Sequence, residues 1–255
     1  MKLLKSIAVA FSMYSRIPMP RFVWGSEDMK YHLIFFPWVG AVIGALEYGW
    51  YDLAFQMNIN LIAYAIIAII IPIIITGGFH LDGFMDTSDA LASWGDKEKR
   101  LEILKDSHVG AFAVIYLIVL GLLMFACVYS MTGLYKAIPA WCFSFFMART
   151  ISGICVVKGK KAKSDGLLST ESETAEDGPV LICLALQFIG CCIIVNTFYK
   201  IQLTAMLVAL LVAVIYYVYT AKTKFGGITG DLAGWFVCIS ELLMTIFLTV
   251  VCYFN

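Results

Sequence analysis

Asp82, Asp86 and Asp89 stand at positions i, i+4 and i+7 of the run Gly77-Gly-Phe-His-Leu-Asp-Gly-Phe-Met-Asp-Thr-Ser-Asp89. On a helix that spacing puts three carboxylates on one face, where they repel one another unless a cation lies between them. Hard divalent cations such as Mg²⁺ take carboxylate oxygen, so the face reads as a metal site. His80 lies between the glycines and Asp82 and is expected to border the site, as a proton-transfer group, as a metal ligand or as a structural hydrogen-bonding residue. A second glycine-led aspartate, Gly226-Gly-Ile-Thr-Gly-Asp231, repeats the spacing from Gly77 to Asp82. Gly77, Gly78, Gly226 and Gly227 are candidates for close backbone approach to a phosphate, and the alternative for the second set is a plain turn.

Polar residues inside apolar runs are the next signal, because a charge in hydrocarbon is costly and faces a partner or a cavity. Arg149 and Glu241 are placed to pair, and Arg149 alternatively suits an anion in a polar pocket. Glu47 lies deep in another apolar run with no evident partner. Lys105-Asp106-Ser107-His108 brings cation, carboxylate and hydroxyl to one membrane entry, or marks a helix boundary. Aspartates for a divalent metal, flexible glycines, and Lys and Arg on one membrane face together describe a diphosphate site. Three classes stay open on these residues. One ionises a prenyl diphosphate, and one moves a phosphoryl-alcohol unit from a nucleotide diphosphate onto a hydroxyl. The third is a cation transporter, which would hold its acids near the bilayer midplane, whereas here they crowd one side.

These groups must be held by membrane helices. Of 255 residues, 61% are hydrophobic and 14% charged, and the mean hydropathy is +0.87, so the chain is polytopic. A formal net charge of zero leaves no basic footprint for nucleic acid. The eight cysteines lie in apolar runs and read as small buried hydrophobes. Seven segments are expected to span: Leu33–Phe55, Leu61–Thr76, Ala111–Met131, Ala137–Val157, Val180–Thr197, Leu203–Thr220 and Trp235–Tyr253. The second is short, carries Pro72 and ends on Gly77-Gly78, which predicts a stop at the membrane boundary. Before the first span, Met1 to Tyr14 predicts an interfacial amphipathic helix, ended by Arg16, Pro18 and Pro20. The fold class is therefore an all-α transmembrane bundle forming a single domain over residues 1–255. Lys136 and Lys200 fall in one set of alternate loops and Arg149 within a span; every other Lys and Arg collects in the opposite set. That asymmetry makes the aspartate side cytoplasmic and the C-terminus external. Asp96 is expected to cap a helix running towards Asp106, with Leu101 and Leu104 on one face. The Ser/Thr/Asp/Glu-rich stretch 164–178 reads as a linker or a mobile lid.

The run Thr76 to Asp89, followed by Leu101-Glu-Ile-Leu-Lys-Asp-Ser-His-Val-Gly110, resembles the cobalamin synthase family, the adenosylcobinamide-GDP ribazoletransferases. The similarity extends to Ser15-Arg-Ile-Pro-Met-Pro20, Phe36-Pro-Trp-Val-Gly-Ala-Val-Ile-Gly44, Ala148-Arg149, and Gly226 to Asp231 with Glu241. The resemblance implies a multi-pass enzyme of a bacterial or archaeal cell membrane that uses Mg²⁺ to join adenosylcobinamide-GDP and α-ribazole, or its 5′-phosphate, with release of GMP. On this basis Asp82, Asp86 and Asp89 would hold the metal, and Lys105, Arg149 and Lys163 would meet the phosphates. Asp106, Asp231 and Glu241 would add a second metal position or orient the basic groups, and the general base stays open among His80, Asp106 and Asp231. The implied partners are the two substrates and the bilayer, with other cobalamin-assembly enzymes or a second copy of the chain left open. Two departures concern the phosphate contacts. His108 stands where the family commonly has Arg, and Lys163 in Ala162-Lys163-Ser164-Asp165-Gly166 replaces an Arg, keeping the charge but losing the bidentate fork.

Overall fold

The computed structural model describes residues 2–20, 23–134, 136–162 and 177–254. Apart from one isolated parallel bridge between Lys161 and Ile228, the regular structure among them is helical. Helix α1 (Lys2–Tyr14) and the short α2 (Ser26–Met29) precede the first long helix, α3 (His32–Gln56). The chain returns through α4 (Leu61–Thr76), turns into α5 (Phe79–Ala92) and makes the short α6 (Lys97–Ile103). Helix α7 (Ala111–Met131) leads away again, and α8 (Ala137–Trp141) with α9 (Ser144–Lys158) leads back. Finally come α10 (Asp177–Phe198), α11 (Lys200–Thr220), a π-helical turn at Ala221–Phe225, and α12 (Gly230–Tyr253).

Among the described residues six helical stretches are long and apolar enough to cross a membrane, and α4 makes a seventh apolar segment that bends sharply into α5. The expected spans all recur. Leu61–Thr76 and Ala111–Met131 keep their expected bounds, while Ala137–Val157 is broken near Cys142 into α8 and α9. Exposed Ile66, Ile70 and Ile74 on α4, Leu122 on α7, Ile182 and Ile193 on α10, and Leu211 and Ile215 on α11 turn an apolar surface outward. Such a belt is stable against hydrocarbon and unstable against water. The interior is closed by large side chains, with the Trp141 indole N–H donating to Thr245 Oγ1 at 2.8 Å. Helix α1 is too short to span and lies against α3. There Tyr14 stacks near the buried His32, whose Nε2 is 3.2 Å from the Tyr14 hydroxyl. Asp96 caps α6 as expected, accepting from Lys99 N–H at 2.9 Å. Lys163 and nearly all of the 164–178 stretch fall outside the described residues.

Candidate active site

The site begins with a corner. Gly77 (φ 66°) closes α4, its N–H bonded to Ile73 O, and Gly78 (φ 82°) opens α5. Both are left-handed, a conformation in which a Cβ is strained, and together they set the axes of α4 and α5 97° apart. Helix α5 therefore leaves the span and lies across the end of the bundle. It packs mainly on α12 and α7. Contact with α12 is close because small residues meet there: a Cβ on Gly83 would strike the Asp231 backbone at 2.7 to 3.2 Å, and one on Gly234 would meet His80 O at 3.2 Å. That crossing brings the second glycine-led aspartate against the first.

Asp82, Asp86 and Asp89 share one face of α5, Asp82 exposed and the other two partly buried. Asp86 is pushed up to about 6, first by burial and then by the negative charges of Asp82, Asp231 and Asp89. Asp86 thus feels the other three carboxylates. Among the described residues no three acidic, His or Cys side chains converge closely enough to chelate an ion as they stand. Hard oxygen donors under mutual repulsion are nevertheless what a divalent cation relieves, so the donor set fits such an ion. Asp89 also lies against the start of α7, where a Cβ on Gly110 would fall on both of its carboxylate oxygens.

The other sequence-derived residues are distributed around this face. At roughly 100° per residue His80 lies about 120° to 180° around α5 from the three aspartates, and it is buried in the core. There it meets Phe36 and Phe79 edge-on, with neither ring nitrogen hydrogen-bonded. It therefore does not border the acidic face, contrary to the sequence expectation, because two residues along a helix reverse the direction of a side chain. Arg149 is 1% exposed and donates to Glu241 Oε1 at 2.6 Å and to Phe145 O at 3.0 Å. This pair is internal, and Glu241 stands ten residues along α12 from Asp231, about 15 Å of helix. The structure thus separates Glu241 from the α5 aspartates and encloses the Arg149 guanidinium rather than presenting it to solvent. Glu47, fully buried, is an electrostatic neighbour of Glu241.

Of the four glycines, Gly78 has open space beside its Cα and Gly226 only Lys97 at 3.7 Å, whereas Gly77 is covered by Arg16 and Gly227 by the Lys160 to Ala162 backbone. The Gly227 contact accompanies two bridge hydrogen bonds, Ile228 N–H to Lys160 O and Ala162 N–H to Ile228 O. Lys105 and Asp106 are exposed in the loop that reaches Gly110 beside Asp89. Hydrogen bonds from the His108 backbone and ring hold the Asp106 carboxyl below its usual range. Sequence reasoning assigned no role to Gly83, Gly110, Gly234 or Arg16. For Arg16 a signal existed, its place in the Ser15 to Pro20 run.

Fold and site together define a polytopic membrane protein with an acidic centre at one end of its bundle. The family described as cobalamin-5-phosphate synthase matches residues 6–249, and the chain belongs to that family of transferases. It is 40% identical to the adenosylcobinamide-GDP ribazoletransferase of Lachnoclostridium phytofermentans over 95% of this chain and 92% of that one. It is 32% identical to the protein of that name from Clostridium perfringens, over 93% and 94%. With the one from Geobacillus kaustophilus the identity is 33%, over 89% and 88%. No solved structure matches the chain.

Proposed function

We propose that the chain joins adenosylcobinamide-GDP to α-ribazole, or to its 5′-phosphate, giving adenosylcobalamin or its 5′-phosphate together with GMP. The relatives' names supply donor and acceptor. The observation that carries the chemistry is the acidic face of α5, completed by Asp231 from α12. A ribose hydroxyl of the acceptor attacks the phosphorus bearing the cobinamide side chain. The P–O bond to the GMP phosphate breaks, a new phosphodiester forms, and the hydroxyl proton passes to a base.

Mg²⁺ held by Asp82, Asp86 and Asp89 would neutralise the diphosphate oxygens and the charge growing on the leaving group. Asp231, whose backbone meets Gly83 of α5, and Asp106, on the exposed loop that leads to Gly110, are the candidates for the proton, while His80 points away from the acidic face. Lys105, on the loop next to Asp89, offers a cation to phosphate, and Lys163, directly after Ala162, would add another. Arg149 and Glu241 act here through packing, as a paired brace between α9 and α12. We further infer, from the segregation of Lys and Arg, that the acidic end faces the cytoplasm. The test is purified protein with adenosylcobinamide-GDP, α-ribazole and Mg²⁺, which should release GMP. Inorganic diphosphate from a prenyl donor, with no GMP from the corrinoid substrate, would overturn the assignment.

A further inference from the structure

The segment after α1 runs back across the corner between α4 and α5. Ser15 Oγ donates to Phe11 O at 2.6 Å and accepts from Ile17 N–H at 3.3 Å, while Arg16 N–H donates to Ile75 O at 2.7 Å. Pro18 and Pro20 restrict the backbone that follows. So fixed, Arg16 lays its side chain over Gly77, in the space a Cβ there would need, and stays exposed. Together with Ser12, Ser15, Met19 and Trp24 it lines an open groove of about 410 Å³.

Resting on the transferase reading above, we propose that this groove takes the guanosine monophosphate end of the donor. The purine lies on the Trp24 indole, the phosphate is met by Arg16, and the Ser12 hydroxyl, with the remaining lone pair of Ser15 Oγ, meets the ribose. Size permits it, since small-molecule sites run from roughly 300 to 1,000 Å³. Chemistry selects it: a planar guanidinium binds phosphate through two parallel hydrogen bonds, and an indole face stacks on a base. Position ties it to the acidic face, because Gly77 adjoins Gly78, whose carbonyl accepts the Asp82 N–H at 2.9 Å. A phosphate on Arg16 thus sits near the first turn of the aspartate helix, where the second phosphate of a diphosphate would fall. The groove is also open, as the release of a nucleotide requires. The acceptor as a free nucleoside has no phosphate for Arg16.

The test measures equilibrium binding of GMP, and separately of α-ribazole 5′-phosphate, to the full-length protein in detergent, without corrinoid and without turnover. Arg16→Ala and Trp24→Ala should each weaken GMP about 10-fold or more, the scale of one charge-assisted contact or one stacked base. Arg16→Lys and Trp24→Phe should lose less, and Lys136→Ala at the far end of the bundle nothing. In the wild type GMP should quench indole emission, and Trp24→Phe should abolish that quenching, a readout that survives poor folding of the alanine variants. Unchanged GMP affinity in both alanine variants overturns the proposal, as does selective loss of ribazole phosphate binding. Because the reading is of binding, failure of the turnover assay with these effects intact would strike the transferase assignment and leave the nucleotide groove standing.

Discussion

Asp86 makes the acidic face sensitive to pH. Its carboxyl, raised from 3.8 to about 6 by burial and by Asp82, Asp231 and Asp89, favours the protonated form when no cation is bound. The sign follows from linkage: between about pH 4 and 6 the folded chain binds the proton more tightly than the unfolded chain. The metal-free protein therefore loses stability as pH rises through that window, and a divalent cation restores it above pH 6. Mg²⁺ affinity, followed by calorimetry, should accordingly fall as pH drops below about 6. An affinity flat from pH 5 to 8 would remove Asp86 from the binding set. Substitution gives the complementary prediction. Asp82→Ala, Asp86→Ala and Asp89→Ala should each lower turnover by about 100-fold or more, the scale of removing one charge-stabilising group from a transition state. Each variant should still elute as folded protein, and EDTA should abolish wild-type turnover reversibly. Wild-type rates in any two of the three would rule out a shared site.

At the scale of elements, the placement of these carboxylates depends on glycines that bind nothing. Gly110→Ala would put a methyl where the Asp89 carboxylate lies, and Gly83→Ala would push α5 off the Asp231 backbone. Both should cut turnover at least about 10-fold while costing roughly 1–3 kcal/mol of stability, the range for overpacking a close contact. Gly121→Ala, with open space around it, should do neither. The measurements are kcat and a thermal unfolding midpoint for each variant. These contacts also mark how far the sequence could be read. The aspartate helix, its break at Gly77-Gly78 and the Asp96 cap follow from local spacing and backbone preference, and all were legible. Gly83 meeting Asp231, Gly110 meeting Asp89 and Arg16 covering Gly77 are tertiary contacts, so no local pattern encodes them. His80 shows the same limit from the other side: adjacent in sequence to the acidic face, it is carried to the opposite side of the helix. The pairing of Arg149 with Glu241 was legible as an alternative, since two opposite charges inside apolar runs have few other partners.

For the whole molecule, the alternation of the long helices collects the start of α3, the corner of α4 and α5, the starts of α7 and α12 and the end of α9 at one end. Single cysteines introduced beside Lys99, Lys163 and Lys224 should be labelled only from the cytoplasmic side, and those at Asn58 and the C-terminus only from outside. A cytoplasmic C-terminus would show that one of the seven crossings returns to the side it entered.

The bend after α4 has a further consequence. At 16 residues α4 is about 24 Å long, against a hydrocarbon core of about 30 Å. The unbroken companion helices α3, α7, α10, α11 and α12 reach 21 to 25 residues. A span this short is accommodated by thinning the bilayer beside it, so the corner and the aspartate helix that leaves from it are expected to lie within the depth of the neighbouring headgroups. Bilayer thickness becomes a variable of the reaction: protein reconstituted in short-chain phosphatidylcholine should turn over faster than in long-chain lipid of equal fluidity, because hydrophobic mismatch there no longer buries the entrance to the acidic face.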